Sequence, residues 1–114
     1  MHIVREKISN KELADMATKM FGNMVKAVVD VEQEIMAVDA ELHADLQALL
    51  LEQGSQQQNL WGIKIYPDNV LQDSWIEFDS MINIRPSVGN RTRGISDPKI
   101  REQIIGIVQK LVTK

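Results

Sequence analysis

Three arginines, two asparagines and two glycines fall within one twelve-residue segment, NIRPSVGNRTRG, which spans residues 83–94. Arg85, Arg91 and Arg93 carry planar guanidinium groups that suit the oxygens of a phosphate or a carboxylate. Asn90 adopts left-handed turns readily, and the glycines allow backbone amides to approach a ligand. The segment therefore predicts a cradle for a small or nucleotide-like anion. The alternative is that the same arginines form salt bridges that only fix a long loop.

His43 lies between two carboxylates, Glu41 and Asp45, each two residues away. These groups suit a divalent metal ion, or a histidine general base that an acid orients. Glu77 and Asp79 extend the candidate metal ligands. We include His43 and Asp45 with the arginine-rich segment as candidate ligand-binding residues. A small metal-dependent hydrolase is therefore an alternative to anion binding, and a plain surface histidine is the third reading.

The two later carboxylates fall in the longest predicted strand, SWIEFDSMINIR, which covers residues 74–85. Side chains alternate along a strand, so one face of this segment carries most of its polar groups. These are Glu77, Asp79, Asn83 and Arg85. If helices cover only the opposite face, the polar groups contact water. If another segment covers them, they form a site.

Capping signals and composition define three helices that would support these groups. Ser9 and Glu12 form a capping box ahead of a predicted helix over residues 10–21. Asp97 is a typical N-cap for the last helix. Residues 41–54 contain the alternation of a strand, but they are rich in Leu, Ala, Gln and Glu, and this composition favours a helix over residues 44–53.

Apolar and β-branched runs predict five strands, at residues 2–5, 24–31, 34–39, 60–67 and 74–85. In the second strand the valines and alanine share one face, which predicts a sheet with one wet side. A largely antiparallel five-stranded sheet, packed by two terminal helices and a middle helix, follows. We therefore expect an α+β fold in a single domain over residues 1–114.

Charge is distributed unevenly along a chain whose formal net charge is -3. No Lys or Arg occurs between Ala27 and Ile63, whereas four of the five arginines lie within residues 85–101. The negative net charge argues against nucleic-acid binding, and the two oppositely charged segments suit either solvated faces or a homo-oligomer interface. The chain has no cysteine, which fits the cytoplasm, and no apolar run long enough to cross a membrane.

Five stretches of the chain are distinctive: ELHAD near residue 41, LLLEQGS at 49, LWGI at 60, WIEFDSMINIRPS at 75 and GNRTRG at 89. Together they resemble a family of short bacterial and archaeal proteins that is catalogued only as a domain of unknown function. The likeness spans nearly the whole chain. It implies no activity, so anion binding, metal-dependent hydrolysis and a structural or self-associating role all stay open.

Overall fold

Strands and helices alternate along the chain in the computed structural model, which describes residues 1–114. The strands are β1 (His2–Val4), β2 (Ile8–Ser9), β3 (Val25–Asp30), β4 (Ile35–Val38), β5 (Leu60–Ile65), β6 (Ile76–Glu77) and β7 (Val112–Thr113). The helices are α1 (Asn10–Lys19), α2 (His43–Glu52) and α3 (Pro98–Leu111). Five strands form one antiparallel sheet in the order β1-β4-β3-β5-β6, while β2 and β7 form a short parallel pair. The predicted α+β fold is confirmed.

The β3–β4 hairpin closes around a buried carboxylate. Asp30 accepts hydrogen bonds from the backbone amides of Glu32 and Gln33, each at 2.9 Å. The Ser55 hydroxyl donates to the same carboxylate at 2.6 Å, which ties the turn to the segment after α2. The Asp30 carboxylate therefore stabilises the turn of this hairpin, which has no Asn-Gly pair of the kind that forms a tighter two-residue turn.

The predicted helices are confirmed, with small shifts at their ends. Ser9 accepts a hydrogen bond from the amide of Glu12 at 3.1 Å, as the capping box requires. The Asp97 carboxylate accepts one from the amide of Lys99 at 2.8 Å. α1 ends at Lys19 rather than at residue 21. None of the three helices has both the length and the apolar character that a membrane-spanning helix needs.

Helices cover both faces of the sheet, so the predicted wet side of the second strand is wrong. Val25, Ala27 and Val29 pack in a large core with α1 and α3. Val28 points the other way, into a second core that α2 completes with two leucines. The leucines are Leu46 and Leu50, and both are fully buried. A polar residue on the α2 side of β3 therefore lies beside a helix instead of facing open water.

The predicted strand over residues 74–85 is wrong except at Ile76–Glu77, and a 3₁₀ turn over Asp73–Trp75 precedes that short strand. Only Ile76–Glu77 pairs with β5, and Met81–Asn83 forms a 3₁₀ turn. The side chain of Asn83 accepts from the Gly62 amide at 2.8 Å and donates to the Gly62 carbonyl at 2.9 Å. The Asn83 side chain therefore supplies the hydrogen bonds that a longer strand would have made to the backbone of Gly62 in β5. The chain can leave the sheet here without leaving these backbone groups unpaired.

Candidate functional site

Asp79 joins the arginine-rich loop to the sheet. Lys64 donates to one carboxylate oxygen at 2.8 Å, and Arg93 Nε donates to the other at 2.6 Å. The hydrogen bond from Lys64, followed by that from Arg93, holds the pKa of Asp79 below its ordinary value. Arg93 thus forms the loop-fixing salt bridge that the sequence allowed. Its side chain is still about half exposed, at 51%.

His43 begins α2, and its ring is buried against β5. Nε2 lies 2.8 Å from the Ile63 carbonyl oxygen. A carbonyl can only accept, so we assign the proton of the neutral ring to Nε2 and leave Nδ1 as an acceptor without a protein partner. Burial is the largest cause that lowers the pKa of His43 below its ordinary value. The imidazole is therefore neutral at neutral pH.

Gly62 allows His43 and Ser80 to lie directly on the backbone of β5. A Cβ atom at this position would be 2.5 Å from Ser80 Cβ and 3.1 Å from His43 Cδ2. The absence of a side chain here brings the start of α2 and the 3₁₀ turn of Met81–Asn83 to the same point on the sheet. A glycine inside a strand pattern indicates such a close approach, and this was the sequence feature that could have located the site.

A shallow pocket of about 200 Å³ opens at this point, lined in part by Lys26, His43, Ser80 and Arg93. We call it the α2 pocket. Lys26 lies on the α2 side of β3, with Nζ 5.0 Å from the Phe21 ring centroid, and it forms no salt bridge. Two cationic side chains, a serine hydroxyl and an imidazole thus converge on one concave surface.

The start of α2 adds backbone donors to this pocket. The first turn of any α-helix leaves amide groups without partners inside the helix. Ser9 and Asp97 cap α1 and α3 with their side chains, whereas the N-cap of α2 is Leu42, which provides no side-chain hydrogen bond. Residues 42–44 line the pocket together with Lys26 and Arg93, so the positive end of the α2 dipole borders it. The one acidic residue in the first turn of α2, Asp45, is exposed.

Arg85 lies in a different place from Arg93. Its guanidinium carbon is 4.3 Å from the Trp61 ring centroid, and it donates to the carbonyl oxygens of Gln58, at 3.3 Å, and of Leu60. Burial lowers the pKa of Arg85 from its ordinary value. A cavity of about 230 Å³, which we call the Arg85 cavity, is lined by Arg85, Trp61 and residues at the start of α3.

Asn90 is buried and holds the loop together. Its amide nitrogen donates to the carbonyls of Asn83 at 2.6 Å and Gly94 at 2.8 Å, and its oxygen accepts from the Ser96 amide at 2.8 Å. Arg91 is exposed and forms no hydrogen bond or salt bridge through its side chain. The predicted single cradle is therefore divided: Arg93 joins His43, while Arg85 and Asn90 line a separate cavity.

The predicted metal ligands do not assemble. Glu41 and Asp45 are exposed on either side of a buried His43, and Glu77 accepts a hydrogen bond from the Tyr66 hydroxyl at 2.9 Å. No group of three or more histidine and acidic side chains comes together in a way that could hold a metal ion. Glu41, His43 and Asp45 are spaced two residues apart in the sequence, but their side chains point in different directions. The reason is that α2 begins at His43, which places Asp45 on its exposed side.

Sequence reasoning missed three residues of these two sites: Lys26, Ser80 and Trp61. Lys26 lies on the face of β3 that the sequence predicts to be wet, and its role depends on where α2 packs. Trp61 is a core residue, only 5% exposed, but one face of its ring contacts the Arg85 guanidinium. Contacts between distant segments created both arrangements, so only the close approach at Gly62 had a local signal.

The chain matches one known protein family. Residues 2–111 match the family described as protein of unknown function, DUF5674. The match covers nearly the whole chain, so the protein belongs to this family, and the predicted resemblance to a domain of unknown function is confirmed. No curated protein and no solved structure matches the chain.

Proposed function

We propose that the protein binds a small oxyanion at the α2 pocket, with Lys26, His43 and Arg93 as the contacting side chains. The observation that carries this proposal is the uncapped start of α2, which opens onto a pocket lined by two cations. Amide groups at a helix N-terminus, combined with nearby cationic side chains, form a common anion site in proteins. The pocket suits a phosphate-sized group, which is also the anionic part of a nucleotide-like ligand.

The charges around the pocket favour a negative ligand. Lys64 and Arg93 are balanced by the two carboxylates that they contact, Glu77 and Asp79. Lys26 is the additional cation, and no carboxylate pairs with it. An oxyanion at the start of α2 would supply the missing opposite charge.

His43 connects anion binding to protonation. In its neutral form Nδ1 accepts hydrogen bonds, so it favours an oxyanion that carries its own proton, such as hydrogen phosphate. A fully deprotonated anion would instead favour the protonated ring. Either way a bound negative charge stabilises the imidazolium, so phosphate binding should raise the pKa of His43. This shift is measurable from the ring proton signals in an NMR pH titration.

Charge-removing variants test the proposal through the Kd for inorganic phosphate, measured by calorimetry at constant ionic strength. Replacing Lys26→Gln should weaken binding at least about tenfold, because a charge-assisted contact contributes roughly 1.5–3 kcal/mol. Asp79→Asn should tighten binding, since it removes a nearby negative charge and frees Arg93. Lys11→Gln is the matched control, because Lys11 is 85% exposed and pairs only with Asp15.

Equal phosphate affinities for the Lys26 and Lys11 variants would contradict the proposal. The metal-dependent hydrolase is not carried forward, because its ligand set does not assemble. Self-association through the acidic middle of the chain stays a prediction: Asp30 is buried, but Glu32, Glu41 and Asp45 are exposed. The proposed location is the cytoplasm, which a chain without cysteine fits.

A further inference from the structure

Arg85 carries a partly buried charge that no carboxylate of the protein neutralises. It forms no salt bridge, and its Nε is buried without a hydrogen-bond partner. The backbone carbonyls of Gln58 and Leu60 accept from its terminal nitrogens, and Trp61 covers one face of the guanidinium. Removing a charge from water without a counter-charge is costly. A guanidinium has five N–H donors, and Arg85 uses only two hydrogen bonds from its terminal nitrogens, so it keeps capacity for a further acceptor.

The Arg85 cavity combines that guanidinium with apolar walls. At about 230 Å³ it is smaller than the cavities of roughly 300–1,000 Å³ that hold drug-sized ligands. Trp61, Val88 and Ile100 provide its apolar lining. The volume and the walls therefore suit one short aliphatic group attached to a charged head.

The charges of the cavity decide what kind of head it can take. Its lining contains one cation, Arg85, and one carboxylate, Asp97, so the two formal charges cancel. They do not pair with each other. Asp97 uses one oxygen to accept from the Lys99 amide, and its other oxygen has no protein partner. A plain anion would be attracted by Arg85 and repelled by Asp97, whereas a ligand with both charges would satisfy both residues.

We infer that the Arg85 cavity binds a small zwitterion with a short apolar side chain, the chemistry of a free aliphatic α-amino acid. The ligand carboxylate pairs with Arg85, its ammonium group pairs with Asp97, and its side chain packs against Val88 and Ile100. This site is independent of the α2 pocket. It shares no lining residue with that pocket.

Three matched probes test the inference on the unmodified protein. L-leucine carries both charges, isocaproate lacks the amino group, and isoamylamine lacks the carboxylate. Binding is followed by NMR through the Trp61 indole N–H signal. We expect saturable binding of leucine that is at least about tenfold tighter than that of either single-charge probe, because each lost charge-assisted contact is worth about that factor.

One conservative variant isolates the role of the carboxylate. Asn is as good an N-cap as Asp, so Asp97→Asn should keep the start of α3 intact while removing the charge. In this variant the preference for leucine over isocaproate should fall to about onefold to threefold, which we estimate from the loss of one charged contact. Asp15→Asn makes the same change on the exposed surface of α1, and it should leave the wild-type preference unchanged.

The inference is overturned if leucine and isocaproate bind the wild type equally, or if leucine produces no saturable shift of the Trp61 signal. It is also overturned if Asp97→Asn keeps the full preference for leucine. Phosphate binding at the α2 pocket is measured through Lys26, so either site can fail without the other.

Discussion

Replacing Gly62→Ala should destabilise the protein by about 1 kcal/mol, the overpacking cost less the helpful loss of glycine. The new Cβ would lie 2.5 Å from Ser80 Cβ and 2.6 Å from Ser80 Oγ, whereas ordinary Cβ contacts begin at 3.4 Å. Ser80 cannot move away easily, because its amide donates to the Arg93 carbonyl at 3.0 Å and its hydroxyl accepts from Ile82 at 3.3 Å. Overpacking of this kind costs roughly 1–3 kcal/mol, and the intrinsic preference for Ala over Gly offsets about 0.5–1 kcal/mol.

Urea unfolding measures the loss, with the free energy extrapolated to water and an unchanged m value. Gly106→Ala is the matched control, because Gly106 lies in α3 with nothing within 4 Å of its added Cβ. That variant should be stabilised by about 0.5–1 kcal/mol, which is the helix preference alone. The two Gly-to-Ala changes should therefore have opposite signs.

A double variant identifies the cause. Ser80→Gly removes both of the closest atoms, so it should be less harmful when combined with Gly62→Ala than the two separate losses predict. A Gly62→Ala protein as stable as the wild type would refute the close-approach reasoning. So would a double variant whose loss equals the sum of the single losses, because that result would show no coupling between the two positions.

Three further changes probe the fold around the site. Asn83→Ala should cost at least about 2 kcal/mol in urea unfolding, because it leaves the buried amide and carbonyl of Gly62 without their partner, at roughly 1–3 kcal/mol each. A loss below about 0.5 kcal/mol would contradict this role. The lowered pKa of His43 means that the unfolded chain binds the proton more readily, so stability should be complete above about pH 6.5 and decline as the pH falls below it. His43→Gln should reduce that pH dependence, and an unchanged slope would be inconsistent with a buried neutral ring. Asp97→Ala should lower the free energy of unfolding by about 1 kcal/mol while Asp97→Asn changes it little, and equal losses in thermal unfolding would rule out the cap.

Helix boundaries were predictable because their determinants are local. Ser9 and Asp97 each contact an amide within three residues, so the pattern of polar and apolar residues nearby is sufficient. The strand over residues 74–85 was not predictable in this way. Its period-two pattern is real, but Asn83 bonds to Gly62, 21 residues away, and that contact replaces strand pairing.

The chemistry of the candidate site was predictable from the sequence. The division of its residues between the α2 pocket and the Arg85 cavity was not. The sequence identified Arg85, Arg93 and His43 as groups able to bind an anion. Which of them meet depends on Asp79, which binds Arg93, and on Trp61, which carries Arg85. These contacts join segments that are distant in the sequence, and no spacing rule describes them.

The most direct measurement of anion binding at the α2 pocket follows the backbone amides of His43 and Ala44 by NMR during a titration with inorganic phosphate at constant ionic strength. We expect the signals of both amides to shift saturably and to give the same Kd for phosphate. In Lys26→Gln that Kd should rise at least about tenfold. Shifts that are absent, that do not saturate, or that are the same in Lys26→Gln would contradict an anion site at the start of α2.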